Sequence, residues 1–340
     1  MSERNCLVDN RSGTPSVTVA IPTFNRPVEL ERCLSSVDGQ TVPTSCYQVL
    51  VINNSQDETS RDNTREVIEK FAHLPIAYFE NDKNIGMFGN WNACISECMT
   101  SHLTILNDDD QLSSEFLELM LPQINSEVLL VTRARIVGAQ SSRLRDLAKW
   151  SYLRWLRFIN LTRNGKEIGV AKFLSGNTIH ASLGVIFNVA AARSIGGFDE
   201  SKFPAADLVF SHTYALKFGV KYDYRELSSY HWGDNASLRL EIVKGQVLQE
   251  FRLRALYLKR YGVGSTLHKL GRFWSVVHLK SKISQINGSR REEIEIPRFG
   301  QVFEKVPRLN IRLVYFGWKV FQYATFLKIA SEFGHRSEVQ

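Results

Sequence analysis

Long hydrophobic runs are missing from this chain. No stretch of roughly eighteen or more apolar residues occurs in its 340 positions, so no transmembrane helix is expected. Cysteine is scarce and unpatterned: Cys6, Cys33, Cys46, Cys94 and Cys98 are odd in number and include no Cys-x-x-Cys. Cys94 and Cys98 lie four apart in a helical pattern, but no His or second Cys pair completes a zinc set. A disulfide scaffold is thereby excluded, and buried reduced thiols are expected. The opening segment 1–14 is polar and lacks the apolar core of a signal peptide. It reads as a flexible tail, with the protein expected in the cytoplasm, where it is made. Internal repeats and low-complexity tracts are lacking too, which excludes solenoid and fibrous classes.

What is present is an ordinary globular composition, 44% hydrophobic and 23% charged. The length suits one large α/β domain with an appendage. A net charge of +7 suggests an anionic partner: a nucleotide diphosphate, an acidic lipid surface or nucleic acid. The charge is uneven. Acids gather between Asp57 and Glu127, whereas bases crowd 133–172 and 259–282.

Strand and helix patterns alternate over the first 125 residues. Ser16 to Ile21 is a β-branched strand stopped by Pro22. Glu29 to Val37 has a helical apolar face, Tyr47 to Ile52 reads as a buried strand, and a helix follows through Phe71. Pro75 to Phe79 is a further strand, Met87 to Cys98 a helix, and Leu103 to Leu106 a short strand. This order predicts a parallel sheet covered on both faces, with ligands at the carboxyl ends of its strands. Ser182 to Asn188 returns to the sheet, Ala206 to Phe218 is helical and Tyr222 to Tyr230 extended. The pattern is helical from Leu238 onward. The organisation expected is a tail over 1–14, a main domain over 15–237 and a helical region over 238–340.

The run Asn107-Asp108-Asp109-Asp110 stands at the end of the Leu103–Leu106 strand. Adjacent carboxylates repel one another and gain nothing from burial unless a cation sits among them. Their hard oxygens suit Mn²⁺ or Mg²⁺, which bind through one or two carboxylates plus substrate phosphates. The competing reading is a solvated acidic turn capping the helix that begins near Ser113, although one Asp would suffice for a cap.

Several segments in order resemble one family. Ile21-Pro22-Thr23-Phe24-Asn25-Arg26 is similar to the opening strand and loop of family 2 glycosyltransferases. Leu30 to Val37 with Gln40 resembles the helix and turn that follow. Val49 to Asp57 resembles the nucleotide-contacting strand end, and Asn84-Ile85-Gly86 with Asn90-Trp91-Asn92 the Asn-rich helix start. Thr104 to Leu112 resembles the DXD-type motif, and Gly196-Gly197-Phe198-Asp199-Glu200 the marker before the acceptor helix. The resemblance covers residues 16–235. It implies a GT-A (Rossmann-like) α/β fold, with a central mostly parallel sheet flanked by helices and here a C-terminal helical appendage. It also implies a nucleotide-diphosphate sugar donor and inversion at the anomeric carbon.

Carried over residue by residue, the resemblance places Pro22, Thr23, Asn25 and Arg26 at the nucleotide. Asn53 stands where an Asp often hydrogen-bonds the base, and its carbonyl can still accept from a pyrimidine N–H. Asn84, Gly86 and Asn90 join the nucleotide-sugar set, as does Asp108. Asp109 is the favoured metal ligand and Asp110 the alternative, because Asn107 replaces the first acid of the commoner motif. Asp207 matches the catalytic base, with Ala206 where many relatives carry a second acid; its ordinary reading is a helix-capping acid. His231 is read either as a metal or diphosphate contact or as a structural His beside Trp232.

The donor implied is a UDP-sugar ahead of dTDP- or GDP-sugars. The acceptor implied is a glycan or lipid-linked hydroxyl in surface polysaccharide synthesis, at the inner face of the cell membrane, with no nucleic acid. The basic aromatic stretch Lys149–Arg163 reads as a lid, as a peripheral contact with anionic lipid, or as an ordinary packed helix. Ile311–Ile329 reads as membrane-lying or as packed on the main domain. Two other classes compete. A sugar-nucleotide nucleotidyltransferase would open with a Gly-rich basic loop, whereas the first Gly after this strand is Gly39. A nucleic-acid-binding or scaffold protein would leave the acidic run without a purpose.

Overall fold

The computed structural model describes residues 3–124, 126–138 and 183–231, together with six helical positions between 242 and 253. The chain divides into two compact units. The first takes in Met1–Ile168, Ile179–Ser201 and Ala206–Gly233. The second takes in Gly169–Thr178, Lys202–Ala205 and Asp234–Gln340, and within it Ala205 N–H donates to the Lys202 carbonyl at 2.9 Å. The Lys149–Arg163 and Ile311–Ile329 stretches and Trp232 lie outside the described residues, as does the 238–340 region apart from those six positions.

Among the described residues, the first unit is built on one nine-stranded sheet. Its strands are β1 (Arg4–Asp9), β2 (Val17–Thr23), β3 (Tyr47–Asn53), β4 (Ile76–Asn81), β5 (His102–Ile105), β6 (Gln111–Leu112), β7 (Leu129–Val137), β8 (Val185–Asn188) and β9 (Val220–His231). The order across the sheet is β1-β4-β3-β2-β5-β8-β7-β9-β6. The block β4-β3-β2-β5 is parallel throughout. Antiparallel neighbours β1 and β8 flank it. Among the described residues of this unit, the α-helices are α1 (Pro27–Asp38), α2 (Glu58–Lys70), α3 (Met87–Glu97), α4 (Phe116–Met120), α5 (Val189–Ser194) and α6 (Ala206–Phe218).

Strand order reverses at β2. The chain moves outward from β2 through β3 to β4, then crosses back to place β5 on the other side of β2. Such a reversal opens a crevice at the carboxyl ends of the two strands. Thr23 ends β2 and the 107–110 run follows β5, so the crevice is lined by both.

Two departures from the sequence reading have plain causes. Residues 4–9 are not a flexible tail but an edge strand, antiparallel to β4. Most of the strand is exposed, so it carries no buried periodicity, and its ion pair from Arg4 to Glu97 at 2.9 Å suits a guarded sheet edge. Strand β2 also runs through Pro22, which pairs with Ile52. The Ala20 carbonyl, two residues earlier, accepts from Leu106 on the β5 side. Pro22 faces that same side just beyond the end of β5, where no ladder bond needs its missing N–H.

Alternate residues of β2 face opposite layers. Val17, Val19 and Ile21 pack under Leu30, Cys33, Leu34 and Val37 of α1, all in one buried cluster. Each such aliphatic side chain contributes about 1.5–3 kcal/mol by burial. The other layer is aromatic and centres on Phe198. Its ring stacks on Phe210 of α6 at 4.3 Å and on Phe88 of α3 at 6.1 Å, and meets Trp91 edge-on at 5.1 Å.

Phe198 is seated by Asn92, whose amide donates to the Phe198 carbonyl at 2.9 Å and whose oxygen accepts the Phe198 N–H at 2.8 Å. Gly197 precedes it with φ 67°, and a Cβ there would meet Asn92 Oδ1 at 2.5 Å. Gly197→Ala therefore combines left-handed strain with loss of the Asn92 clamp. It is expected to lower stability by about 2 kcal/mol, a drop of several degrees in Tm. Gly13→Ala, at φ 70° with nothing within 4 Å, is the control and should cost about half as much. Thermal unfolding of both variants measures the difference, and equal losses would refute the clamp.

Candidate active site

The acidic run is resolved into three different environments. Asp108 is buried, and its Oδ2 accepts the Thr23 hydroxyl at 2.9 Å and the Phe24 N–H at 3.4 Å. Asp110 is fully buried. It accepts from the Asn107 amide at 3.1 Å and from the His231 N–H at 3.3 Å. Asp109 keeps a fifth of its side-chain surface exposed. Its backbone carbonyl is held by Arg32 at 3.0 Å.

One guanidinium nitrogen joins two of them. Arg26 Nη1 lies 3.3 Å from Asp108 Oδ1 and 2.7 Å from Asp109 Oδ2. Burial acts against the charge on Arg26, but Asp108 and Asp109 outweigh it and raise its pKa. Burial pushes Asp108 up to about 6 despite Arg26. Burial, with the Asp109 charge added, pushes Asp110 up to about 7. Asp108 and Asp109 thus share one guanidinium, which supplies the positive charge that compensates the pair. Among the described residues, no three His, Cys, Asp or Glu side chains form a ready metal set. A divalent ion at Asp108 and Asp109 would complete its shell with substrate oxygens, as Mg²⁺ ordinarily does.

His231 is brought to this site as the sequence suggests, but mainly as a fastener. Its N–H holds Asp110, and its Nε2 lies 2.7 Å from Gln111 Oε1. Burial and Arg32 lower its pKa, so the ring is neutral at pH 7 and Nε2 donates to Gln111. Gln40 ties down the following turn, donating to the Ser113 carbonyl at 2.8 Å and accepting from Leu117 N–H at 2.9 Å.

The asparagines around β3 and β4 are mostly bonded within the protein, although the buried Asn81 side-chain oxygen has no hydrogen-bond partner among the described residues. Asn53 is fully buried; its oxygen accepts the Ser55 N–H at 2.9 Å and its amide donates to Tyr78 at 3.0 Å. Asn90 donates to the Ile52 carbonyl at 3.0 Å and accepts from Asn81 at 3.0 Å. Asn84 accepts from the Asn54 amide and from Gly86 N–H, both at 2.8 Å. Asn54 Oδ1 in turn accepts from Ile85 N–H at 3.0 Å and Asn81 at 3.1 Å. The lattice joins the ends of β3 and β4 to the start of α3, where Gly86 takes φ 76°. Its hubs, Asn54 and Asn81, escaped the sequence reading. Their one signal was their place at the carboxyl ends of predicted strands.

The Pro22–Arg26 loop is held between the two clusters. Asp108 holds Thr23 and Phe24, while Ser55 Oγ accepts the Asn25 N–H at 2.8 Å. Asn25 adopts φ 55°, the left-handed region that Asn tolerates better than most residues. Phe24 is 45% exposed at the mouth of the crevice.

Asp207 stands in the first turn of α6. As a residue it is only half-buried, but protein encloses the carboxyl, and burial raises its pKa to about 6 against backbone hydrogen bonds at Leu208 and Asp207. Phe210, three residues on and so on the same face, carries the stack to Phe88 at the start of α3. Further along α6 the Tyr214 hydroxyl accepts the Asn188 N–H at 3.0 Å. Asn188 pairs with His102 at the amino end of β5. Helix α6 therefore runs down the sheet, and Asp207 lies at the same end as the acidic run.

Comparisons with known proteins agree with this geometry. Residues 18–179 match the family model "Glycosyl transferase family 2". Glycosyltransferase AglE of Haloferax volcanii is 31% identical over 109 residues, covering 32% of this chain and 34% of that protein. The GalNAc(5)-diNAcBac-PP-undecaprenol beta-1,3-glucosyltransferase of Campylobacter jejuni is 31% identical over 114 residues, covering 33% of this chain and 35% of its own. The matched stretch thus spans about a third of each curated relative.

Among solved structures, the mannosyltransferase PcManGT of Pyrobaculum calidifontis, in complex with GDP-Man and Mn²⁺, superposes with a TM-score of 0.56 at 16% identity. It covers 95% of this chain and 88% of its own. S. aureus TarS 1-349 in complex with UDP-GlcNAc gives a TM-score of 0.51 at 13% identity, covering 79% and 73%. By its sequence over residues 18–179 and by its fold, the chain carries a family 2 glycosyltransferase domain of GT-A fold.

Proposed function

We propose that this domain transfers a sugar from a nucleotide-diphosphate donor to a hydroxyl of a glycan or lipid-linked acceptor, with inversion, in polysaccharide synthesis. The observation that carries the reading is the Asp108–Arg26–Asp109 arrangement at the reversal of strand order. It supplies a carboxylate pair suited to a cation beside a loop that carries an exposed aromatic side chain, Phe24. The Campylobacter relative's name specifies transfer to a PP-undecaprenol-linked glycan, which supports a lipid-linked acceptor here and peripheral contact with a membrane. Among the described residues no helix is long and apolar enough to cross one. The neighbours' complexes with UDP-GlcNAc and with GDP-Man and Mn²⁺ support the donor class and a divalent ion, with a UDP-sugar favoured.

In this proposal Asp108 and Asp109 hold the cation, and Asp109 leads because it alone of the three reaches solvent while Asp110 is locked inside. Bound Mn²⁺ or Mg²⁺ would neutralise charge building on the departing nucleotide diphosphate. Arg26, released from the carboxylates, lies where it can pair with the same diphosphate. Thr23 and the backbone of the Pro22–Arg26 loop line the nucleotide. Asn53 and Asn90 shape that wall with both ends of their amides bonded, and exposed Asn84 stands beside it with its oxygen held by Asn54 and Gly86. Asp207 accepts the proton of the acceptor hydroxyl as it attacks the anomeric carbon, and its raised pKa suits a base working near neutrality.

Two substitutions separate the roles. Asp109→Ala should weaken Mn²⁺-dependent UDP binding by at least about tenfold in calorimetry; unchanged affinity would remove Asp109 as a ligand. Asp207→Asn should leave UDP affinity within about twofold while lowering transfer by roughly a hundredfold or more. Full turnover by that variant would exclude Asp207 as the base.

The pH dependence has a definite sign. Asp108 and Asp110 have folded pKa values of about 6 and about 7, raised above the ordinary 3.8. Between about pH 4 and 7 the folded state therefore binds more protons than the unfolded chain, and these groups remove stability as pH rises. A divalent cation competes with the Asp108 proton. The stabilisation by Mn²⁺ and UDP together should thus be larger at pH 8 than at pH 5.5 in thermal-shift titrations. An equal or smaller shift at pH 8 would count against cation binding at Asp108.

A further inference from the structure

A second buried charge lies one strand away from the acidic run. Glu80, near the end of β4, is nearly fully buried. Arg65 of α2 grips it with two bonds, from Nε at 2.9 Å and from Nη2 at 2.8 Å. A carboxylate so paired only accepts. The Tyr78 hydroxyl donates its single hydrogen to Glu80 at 2.6 Å. Its oxygen can then act only as an acceptor towards Asn53, which must turn its NH₂ to Tyr78. The Asn53 oxygen consequently faces the Ser55 N–H. Ser55 is fully buried, with its carbonyl held by Arg61 at 2.9 Å and its hydroxyl oxygen accepting the Asn25 N–H.

We propose that Glu80 is a positioning residue for the donor-binding loop, acting through Tyr78, Asn53 and Ser55 to hold Asn25 in its left-handed conformation and so to aim Arg26. The charge at Glu80 sets the direction of the Tyr78 and Asn53 hydrogen bonds, and it agrees with the Ser55 and Asn25 N–H groups, which donate by nature. An acid buried among polar side chains would otherwise be an expense without a return. Here it fixes one of the two orientations open to the Asn53 amide, and with it the placement of a loop residue whose φ is unfavourable without support. The binding half of this inference rests on the nucleotide-sugar reading; the loop-ordering half does not.

The test uses the full chain with Tyr78→Phe, which keeps the ring and removes the hydroxyl, and with Glu80→Gln as a second variant should the first fail to fold. Amide hydrogen exchange at Asn25 and Ser55 should accelerate by about tenfold, with the amides of Leu30 to Val37 in α1 unchanged. The donor KM, read through slow hydrolysis of a UDP-sugar with Mn²⁺, should rise about five- to tenfold with kcat within about twofold. Tyr78→Phe combined with Ser55→Ala should lose no more loop protection than Ser55→Ala alone. Unchanged exchange at Asn25, a uniform acceleration across the domain, or additive losses in the double variant would each overturn the relay. If the wild-type chain binds no nucleotide, the functional reading fails by itself, since the exchange experiment needs no ligand.

Discussion

Three carboxylates adjacent in a chain cannot all be ionised, buried and uncompensated, and the first unit is organised around that electrostatic constraint. Asp110 is taken inside and held by the Asn107 amide and the His231 N–H, so burial tips it towards the protonated form near neutrality. Asp108 is buried beside Thr23 and Phe24, and there it shares a guanidinium with its neighbour. Asp109 stays part-exposed and leans on the same guanidinium. The compensation reaches into distant parts of the sequence: Arg26 follows β2, Arg32 lies on α1, and His231 closes β9. The acidic run thereby sets where the first loop, the first helix and the last described strand must meet.

That meeting point is a consequence of topology. Parallel strands need crossover connections, and the crossover through α3 returns the chain to the far side of β2. The loops after β2 and β5 then face each other across the reversal. A basic residue in one and acids in the other complete the pairing. On the opposite layer, the aromatic stack from Phe88 through Phe198 to Phe210 brings the first turn of α6 to the same end of the sheet. The Gly-Gly-Phe segment serves that stack. Gly197 lets Asn92 grip Phe198 on both its backbone groups, and the Phe198 ring sets the height of the helix that carries Asp207.

Much of this was legible in the residues. Buried parallel strands read as continuous apolar runs, and β3 and β5 declare themselves so. The helices α1 and α3 show their apolar faces at helical spacing, and α6 falls where its pattern predicts. Strand β1 was illegible because an exposed edge strand needs no buried face. Strand β7 escaped because its apolar start gives way to Arg133 and Arg135, which merge with the basic stretch that follows. At the site, the acidic run announced a need for compensating positive charge, which Arg26 meets. The partners of each carboxylate could not be read, because Thr23, Arg26, Arg32 and His231 are far apart in the chain and only the sheet order joins them. The asparagines were legible as a cluster, but their ligand was not. A sequence shows that Asn53, Asn84 and Asn90 carry amides near the ends of β3 and β4; only the fold shows that Asn84 and Asn90 bond to Asn54 and Asn81, and Asn53 to Tyr78 and Ser55.

Those amides explain what kind of pocket this is. An amide used to contact a ligand must be exposed or left waiting for a partner, and a buried amide left waiting is costly. Asn53 and Asn90 instead have both ends bonded within the protein, and Asn54 and Asn84 are tied to their neighbours. Such a lattice is stiff, because turning any one amide opposes donor to donor and acceptor to acceptor along the chain of contacts. Stiffness of this sort makes a wall rather than a reader. The groups left at the mouth of the crevice are the exposed Phe24 ring and the half-buried Arg26 guanidinium. The same loop is bonded to Asp108 on one side and to Ser55 on the other. The Asp108 and Ser55 anchors are therefore mechanically joined through the loop, and a change that loosens one is felt at the other.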